Sequence, residues 1–453
     1  VAGGTDANST YDAFFWDRPS GTVTLMSHTA ANAAAAGNGQ SFVSSISGSG
    51  DFVVFESLAS DLAPSDTNNG SDVFLWDRAA GTSTALSLSP AVVSSTPEQG
   101  VSFALPRQLS ADGRYAVFFS ESPHVVAGQT DTNDDSDVFL VDRTTGVATL
   151  VSHSTGSPST AGNGESLLPW LSADGRWLAF SSAATDLLNG VTDTNNNYDA
   201  FLYDRTTGTT ALLSHKASSL TETSAGRSYA VGLSPGGGVV ALLSAGSDLM
   251  TGLTDLNDTD DLFLVEPAAG AVELMSRTPA GTAIAGNGSA YFYPSFSDNG
   301  SVVLFPSYAS DLVEGDHNLS LDVFPYLRGM EYYTLTPCRL FDTRQPPDGP
   351  ALPSGITVSL QPLGACGIPP TARALALNLT VTGGTGSGHL ILFPGGTVAP
   401  GTSAINFSAG ATRANNAILS LRTDGTLSVK PFVSGAGDNG TVHVLLDVAG
   451  YFQ

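Results

Sequence analysis

Apolar residues in this chain arrive in short bursts separated by turns, and the bursts follow one another in a fixed order. Phe42 to Ser47 reads as a short strand, Gly48-Ser49-Gly50-Asp51 as a tight turn and Phe52-Val53-Val54-Phe55 as a second strand. An acidic loop covers 61–72. Val73-Phe74-Leu75-Trp76 is then a third strand, Asp77 to Gly81 a hairpin turn, and Thr82 to Leu88 an alternating fourth strand. Runs this short, bounded by Gly and Asp, predict a four-stranded antiparallel unit rather than helices.

The same steps recur at Leu109-Ser110-Ala111-Asp112-Gly113-Arg114-Tyr115 and Leu171-Ser172-Ala173-Asp174-Gly175-Arg176-Trp177. Fainter copies stand at Ser234-Pro235-Gly236-Gly237-Gly238 and Ser297-Asp298-Asn299-Gly300. Six times the pattern Asp-x-Asn-x-x-x-Asp precedes a third strand: Asp6/Asn8/Asp12, Asp66/Asn68/Asp72, Asp131/Asn133/Asp137, Asp193/Asn195/Asp199, Asp255/Asn257/Asp261 and Asp316/Asn318/Asp322. Their starts lie 60, 65, 62, 62 and 61 residues apart, which makes the loops parts of a tandem array. Four strands per repeat predict an all-β chain with a β-propeller of about six blade units over residues 1–332. The first unit is incomplete, because Val1 to Asp6 aligns with Val126 to Asp131. After Asp322 a shortened run, Met330 to Thr336, stands where a fourth strand is expected. Truncation, closure of the ring by C-terminal segments, or strands from a neighbouring copy would each account for this.

The period stops near Tyr333. Apolar stretches at 375–381, 390–393, 417–421 and 442–448, bounded by Gly and Pro, predict a compact C-terminal β-sandwich over 333–453.

The Leu-Ser-x-Asp-Gly-Arg-aromatic turn and the Asp-Val-Phe-Leu-x-Asp-Arg-x-x-Gly-x-Thr hairpin resemble the WD40-like repeats of TolB-type β-propellers, over residues 1 to about 330. That resemblance implies a blade and no particular chemistry. The landmarks Thr336 to Arg344, Cys366-Gly367-Ile368-Pro369, Asn378 to Val381 and Asp447 to Phe452 resemble a C-terminal β domain attached to many secreted bacterial proteins, which implies a setting outside the cell.

Composition narrows the partners. Charged residues are 13% of the chain and Gly and Pro number 50 and 25, a turn-rich balance suited to β structure. A formal net charge of −25 opposes binding to nucleic acid or anionic membranes. No apolar run approaches the roughly 18 residues of a membrane span. Two cysteines, Cys338 and Cys366, predict one disulfide formed in an oxidising compartment, hence an extracellular or cell-surface protein whose leader is absent from this chain, and the C-terminal resemblance implies a bacterial one.

In each acidic loop, carboxylates at positions one and seven and a carboxamide at position three are placed to converge on Ca²⁺, at up to six sites. The competing interpretation is a set of side-chain-to-backbone turns. A further Asp precedes the loop at Asp61, Asp186, Asp248 and Asp311, with His124 at that place in the third unit. His28, His153 and His215 share one repeat position, with Leu88 and Arg277 elsewhere, which points to a structural role. The Asp-Arg pairs at 17–18, 77–78, 142–143 and 204–205 fall at hairpin turns and read as turn stabilisers. There is no Gly-x-Ser-x-Gly elbow, phosphate-cradling loop or Cys/His cluster. The sequence thus leads to a non-catalytic, calcium-stabilised structural or adhesion protein, with copies of itself in a head-to-tail filament or surface glycans as partners. The alternative is a carbohydrate-binding or carbohydrate-active propeller, marked by blade-specific polar and aromatic residues on one rim.

Overall fold

A computed structural model describes residues 5–64, 66, 70–87, 102–103, 107–298, 300–313, 316, 320–328, 332–370, 372–422, 424–434 and 440–452. It divides into two compact units, Val1–Tyr326 and Leu327–Gln453. Among the described residues the regular elements are strands throughout.

The first unit is a β-propeller. In the second blade Ser41–Ile46, Phe52–Ser57, Asp72–Asp77 and Thr82–Ala85 pair antiparallel in chain order. The fourth blade repeats this with Ser166–Leu171, Trp177–Ser182, Asp199–Asp204 and Thr209–Leu212, and the fifth with Ser228–Leu233, Val240–Ser244, Asp261–Glu266 and Ala271–Leu274. In the third blade the described part of the innermost strand is Ser102–Phe103, beside Tyr115–Ser120, Asp137–Asp142 and Val147–Leu150. The first blade shows two strands, Phe14–Asp17 and Thr22–Leu25.

Two expectations need correction. Fourth strands are shorter than the alternation suggested: the one starting at Thr82 ends at Ala85, because the hydroxyl of Ser87 turns to donate to Asp72 Oδ1. Leu88 lies outside the described residues. The run after Asp322 does not complete the sixth blade, in which Ser295–Phe296, Val302–Ser307 and Asp322–Leu327 are the described strands. Instead Tyr332–Asp342 pairs with Thr441–Phe452 inside the second unit. Two hairpins follow fourth strands without having been expected, His28–Thr29 with Asn32–Ala36 and His215–Lys216 with Ser219–Thr223.

Blades hold together through apolar layers between consecutive sheets. Val54, Val73 and Leu75 of the second blade pack with Phe118 and Phe139 of the third, and Val117, Val138 and Leu140 with Phe180 and Phe201 of the fourth. Each fully buried Phe is worth about 1.5–3 kcal/mol of apolar transfer. The repeated Asp-Gly turn has a steric reason. Gly113 and Gly175 take positive φ, and a Cβ there would lie 2.1 Å from Phe52 and 2.4 Å from Tyr115 of the preceding blade. Arg143 and Arg205 cap the same rings, each 3.9 Å from the ring centre. The inner turns also bond in series, Gly48 N–H to Ala111, Ala111 N–H to Ala173 and Ala173 N–H to Pro235.

In the second unit, one sheet orders Tyr332–Asp342, Thr441–Phe452, Ala374–Thr382 and Arg413–Ser420, with Leu352–Pro353 beside Thr441–Phe452. The other orders Val358–Leu360, Leu427–Val433, Gly388–Pro394 and Ile405–Phe407. Leu375, Leu379 and Val444 from the first and Leu390, Leu427 and Val429 from the second share one core. The Cys338–Cys366 disulfide is present, with Cα atoms 5.8 Å apart.

Candidate functional site on one face of the propeller

By register, the start of each inner strand, the end of the second and the start of the third lie at the same end of the blade: Ser166 pairs with Ser182, and Ser182 with Asp199. Acidic loops and inner-strand starts therefore share a face.

Each loop is organised by its own side chains. Asp131 Oδ1 accepts the Asn133 amide at 3.1 Å, Asn133 Oδ1 accepts the Asp135 amide at 2.9 Å, and Asn133 Nδ2 donates to the Gly162 carbonyl at 2.8 Å. Asp6, Asp193 and Asp255 accept the amides of Asn8, Asn195 and Asn257 in the same way.

The asparagines differ from the sequence expectation, which has each carboxamide oxygen facing a cation. Asn8 Oδ1 instead accepts the amide and hydroxyl of Thr10, both at 2.8 Å, while its Nδ2 donates to the Gly37 carbonyl. Asn195 Oδ1 accepts the Asn197 amide at 2.7 Å, and its Nδ2 donates to the Ser224 carbonyl at 2.7 Å and to Asp199 Oδ1 at 3.3 Å. Asn257 Oδ1 accepts the amide and hydroxyl of Thr259, at 2.9 and 2.8 Å, and its Nδ2 donates to the Gly286 carbonyl. In this structure Asn8, Asn133, Asn195 and Asn257 act as turn-forming residues. The physical reason is that free loop amides lie two residues on, within reach of a short carboxamide, so the oxygen closes its own loop and the nitrogen ties that loop to the main chain.

Position seven is different. Asp72, Asp137, Asp199 and Asp261 are buried at the head of the third strand, each accepting from a serine hydroxyl after the fourth strand: Ser87, Ser152, Ser214 and Ser276. Burial, opposed by the serine bond and reinforced by neighbouring carboxylates, pushes Asp137, Asp199 and Asp261 up to about 7. Asp12, less buried, accepts from Ser27 and is also raised, first by burial. In the second loop Asp66 is buried, and in the sixth Asp316 and Asp322 are half-buried. Asn68 and Asn318 lie outside the described residues. As they stand, no three acidic, His or Cys side chains among the described residues form a ready metal cluster.

The additional Asp of the second, fourth, fifth and sixth units serves the preceding loop. Asp186 Oδ1 accepts the amide of Asn163, the residue after the carbonyl that holds Asn133; Asp61, Asp248 and Asp311 do likewise at Asn38, Ala225 and Asn287. The histidines stay structural: Nδ1 of His28, His153 and His215 each meets the carbonyl of the next residue. Asp142 and Asp204 cap their hairpin turns and pair with Arg114 and Arg176, whose hydrogen bonds hold both carboxyls well below the usual range.

A second group was not singled out from the sequence. Tyr198, just before the third strand of the fourth blade, lies 5.1 Å from Tyr229 between ring centres; Tyr229 lies 5.8 Å from Phe292, and Phe292 6.2 Å from Tyr291. Tyr291 meets Tyr308 edge-on at 6.4 Å, and Phe292 leads through Tyr293 to Trp170. Tyr291, Tyr293 and Tyr308 are about half exposed. The Tyr198 hydroxyl donates to Glu165, whose carboxyl is raised first by burial and then by Asp135 and Glu121. Arg227 is tied to Asp260 at 2.7 Å. A signal was available. In the second, fourth and fifth blades the residue before the inner strand is Gln40, Glu165 and Arg227, and the strand's second residue is Phe42, Leu167 and Tyr229, so these positions change from blade to blade.

No family model matches the chain, and no curated protein does either. Among solved structures it is similar to the tricorn protease (11% identity, TM-score 0.36, 68% of this chain and 27% of that one). It is also similar to an oligogalacturonate lyase from Vibrio parahaemolyticus (13%, 0.36, 69% and 71%) and to an exo-beta-1,3-galactanase from Phanerochaete chrysosporium (12%, 0.27, 97% and 99%). The chain thus spans about a quarter of the tricorn protease. The similar proteins are named as enzymes, and this overturns the expectation of a non-catalytic structural or adhesion protein, its filament variant and the answer that the chain is not an enzyme. Of the two functions expected, the carbohydrate alternative is retained. At such identities and TM-scores no residue or activity is carried over.

Proposed function

We propose that this chain is a carbohydrate-active propeller protein that works outside the cell and holds a glycan along the aromatic rim of its fourth to sixth blades. The observation that carries this is the unbroken succession of rings from Tyr198 through Tyr229 and Phe292 to Tyr291 and Tyr308, ending half exposed and starting at a carboxylic acid. Tyr rings present an apolar face for the C–H face of a sugar and a hydroxyl for its oxygens. The Cys338–Cys366 disulfide supports an oxidising compartment.

The electrostatics select among glycans. Glu165, Glu121 and Asp135 are acidic, Arg227 is engaged by Asp260, and the chain carries −25 overall. A polyuronate would meet repulsion on approach, whereas an uncharged or amino-bearing glycan would not. Cleavage of a glycosidic bond needs an acid that keeps its proton near neutral pH and a second carboxylate for water or the sugar carbon. Glu165, half-buried and met by the Tyr198 hydroxyl, is our candidate for the first role, and Asp135 or Glu121, which act on its charge, for the second.

Affinity electrophoresis in gels containing neutral polysaccharide, chitosan or polygalacturonate, with an assay for new reducing ends, tests this reading. Retention by a neutral or amino glycan, lost in Tyr291→Ala/Tyr308→Ala, is expected. Glu165→Gln should keep retention and lose cleavage. Retention by polygalacturonate alone, or by no glycan, rejects the proposal.

A further inference from the structure

At the seam between the third and fourth blades, one buried oxygen has no donor. Asp137 is 1% exposed; its Oδ1 accepts from Ser152, while its Oδ2 is buried and without a hydrogen bond. A buried carboxylate oxygen left unmet forfeits its hydration without replacement, so it needs a proton or a cation. Around it stand Asp131 of the same loop and Asp186 of the next blade, both close enough to act on its charge. Asn133 ties the first loop to the Gly162 carbonyl, and Asp186 ties the second to the adjacent Asn163 amide. Carboxylates of two blades therefore act on one buried group.

We propose that this seam binds a hard divalent cation of the calcium class, held by Asp131 and Asp137 from one blade and Asp186 from the next, with Asn133 as a positioning residue. Calcium accepts six to eight oxygens in a flexible shell, which main-chain carbonyls and water can complete around three carboxylates. Like charges keep those carboxylates apart when no ion draws them together. The next seam repeats the ties: Asn195 holds the Ser224 carbonyl and Asp248 the adjacent Ala225 amide, beside Asp193 and Asp199. The bridging aspartate is what separates this site from a loop that binds an ion by itself.

Equilibrium dialysis of the full chain against Ca²⁺ provides the test, with folding followed by circular dichroism. The wild-type chain should bind Ca²⁺ at several sites, and Asp186→Asn and Asp248→Asn should each remove one equivalent. Asp258→Asn, an exposed loop residue outside the set, should remove none. No bound Ca²⁺ at millimolar concentration overturns the proposal, as does full stoichiometry in both Asp186→Asn and Asp248→Asn. Should one of these fail to fold, the other decides. The readout is bound metal, so its failure is separate from failure of glycan binding.

Discussion

The seams and the rim occupy the same face of the propeller and obey opposite rules. At the seams the third, fourth and fifth blades offer the same device: an Asx turn, an Asn on the neighbouring main chain, a buried Asp clamped by Ser, and an Asp from the next unit. On the rim, one structural position holds Glu165 in one blade and Arg227 in the next, and the residue after the first inner-strand Ser is Leu167 in one and Tyr229 in the next. What repeats serves contacts that also repeat, namely blade against blade. What departs from the repeat cannot be required by those contacts, so it is where a ligand that touches only some blades would be recognised.

The largest expected effect lies on the repeated side. Phe139→Ala, at a fully buried position between blades, should cost about 3–5 kcal/mol in urea unfolding. Tyr291→Ala, half exposed on the rim, should change stability by less than about 1 kcal/mol while weakening glycan retention by about tenfold or more. Equal destabilisation by both substitutions would break the distinction between seam and rim.

Next in size is the response to pH in chelator. Asp137, Asp199 and Asp261 sit at about 7 in the folded protein against 3.8 when unfolded, so the native state binds their protons more tightly. Their contribution is complete below about pH 4 and is lost as pH rises through about 7. Asp142 and Asp204, held low by Arg, act oppositely, but their contribution is lost only as pH falls below their ordinary value of 3.8. Melting temperature in chelator should therefore fall between about pH 5 and 8, and saturating Ca²⁺ should flatten that fall by taking the place of the protons. Identical profiles with and without Ca²⁺ would remove the metal from the seam.

Smallest is Arg205→Leu, which removes a guanidinium from the Tyr115 ring and should cost about 0.5–1 kcal/mol at this partly exposed position. Glycan retention should be unaffected.

Much of the fold was legible because strand alternation, Asp-Gly turns and the sixty-residue period are local properties. Gly113 and Gly175 show why: the turn is written in sequence because a neighbouring aromatic ring leaves no space for a Cβ. The roles within the acidic loops were harder to read. An oxygen-bearing side chain at position three suits a cation and a turn equally well on paper, and the turn bonds of Asn8, Asn195 and Asn257 show only in the folded loop, where the amide two residues on meets the carboxamide. The partner of Asp186 was not legible, since chain order places it nearest its own loop and only blade packing delivers it to the previous one. The end of the sixth blade was misjudged for a similar reason. Tyr332–Asp342 alternates well enough for either sheet, and its pairing with Thr441–Phe452 is made across more than a hundred residues. The rim escaped notice because repetition drew attention to the residues that agree, while Glu165, Tyr198, Tyr229 and Tyr291 carry their information by differing.

The most direct test of the central claim is glycan retention measured side by side for the wild-type chain, Tyr291→Ala/Tyr308→Ala and Asn133→Ala. Retention of a neutral or amino glycan that is lost in the rim variant and kept in the folded seam variant is the predicted result. Retention that survives the rim change, or falls equally in both, would contradict the assignment of ligand recognition to the positions where the repeat breaks.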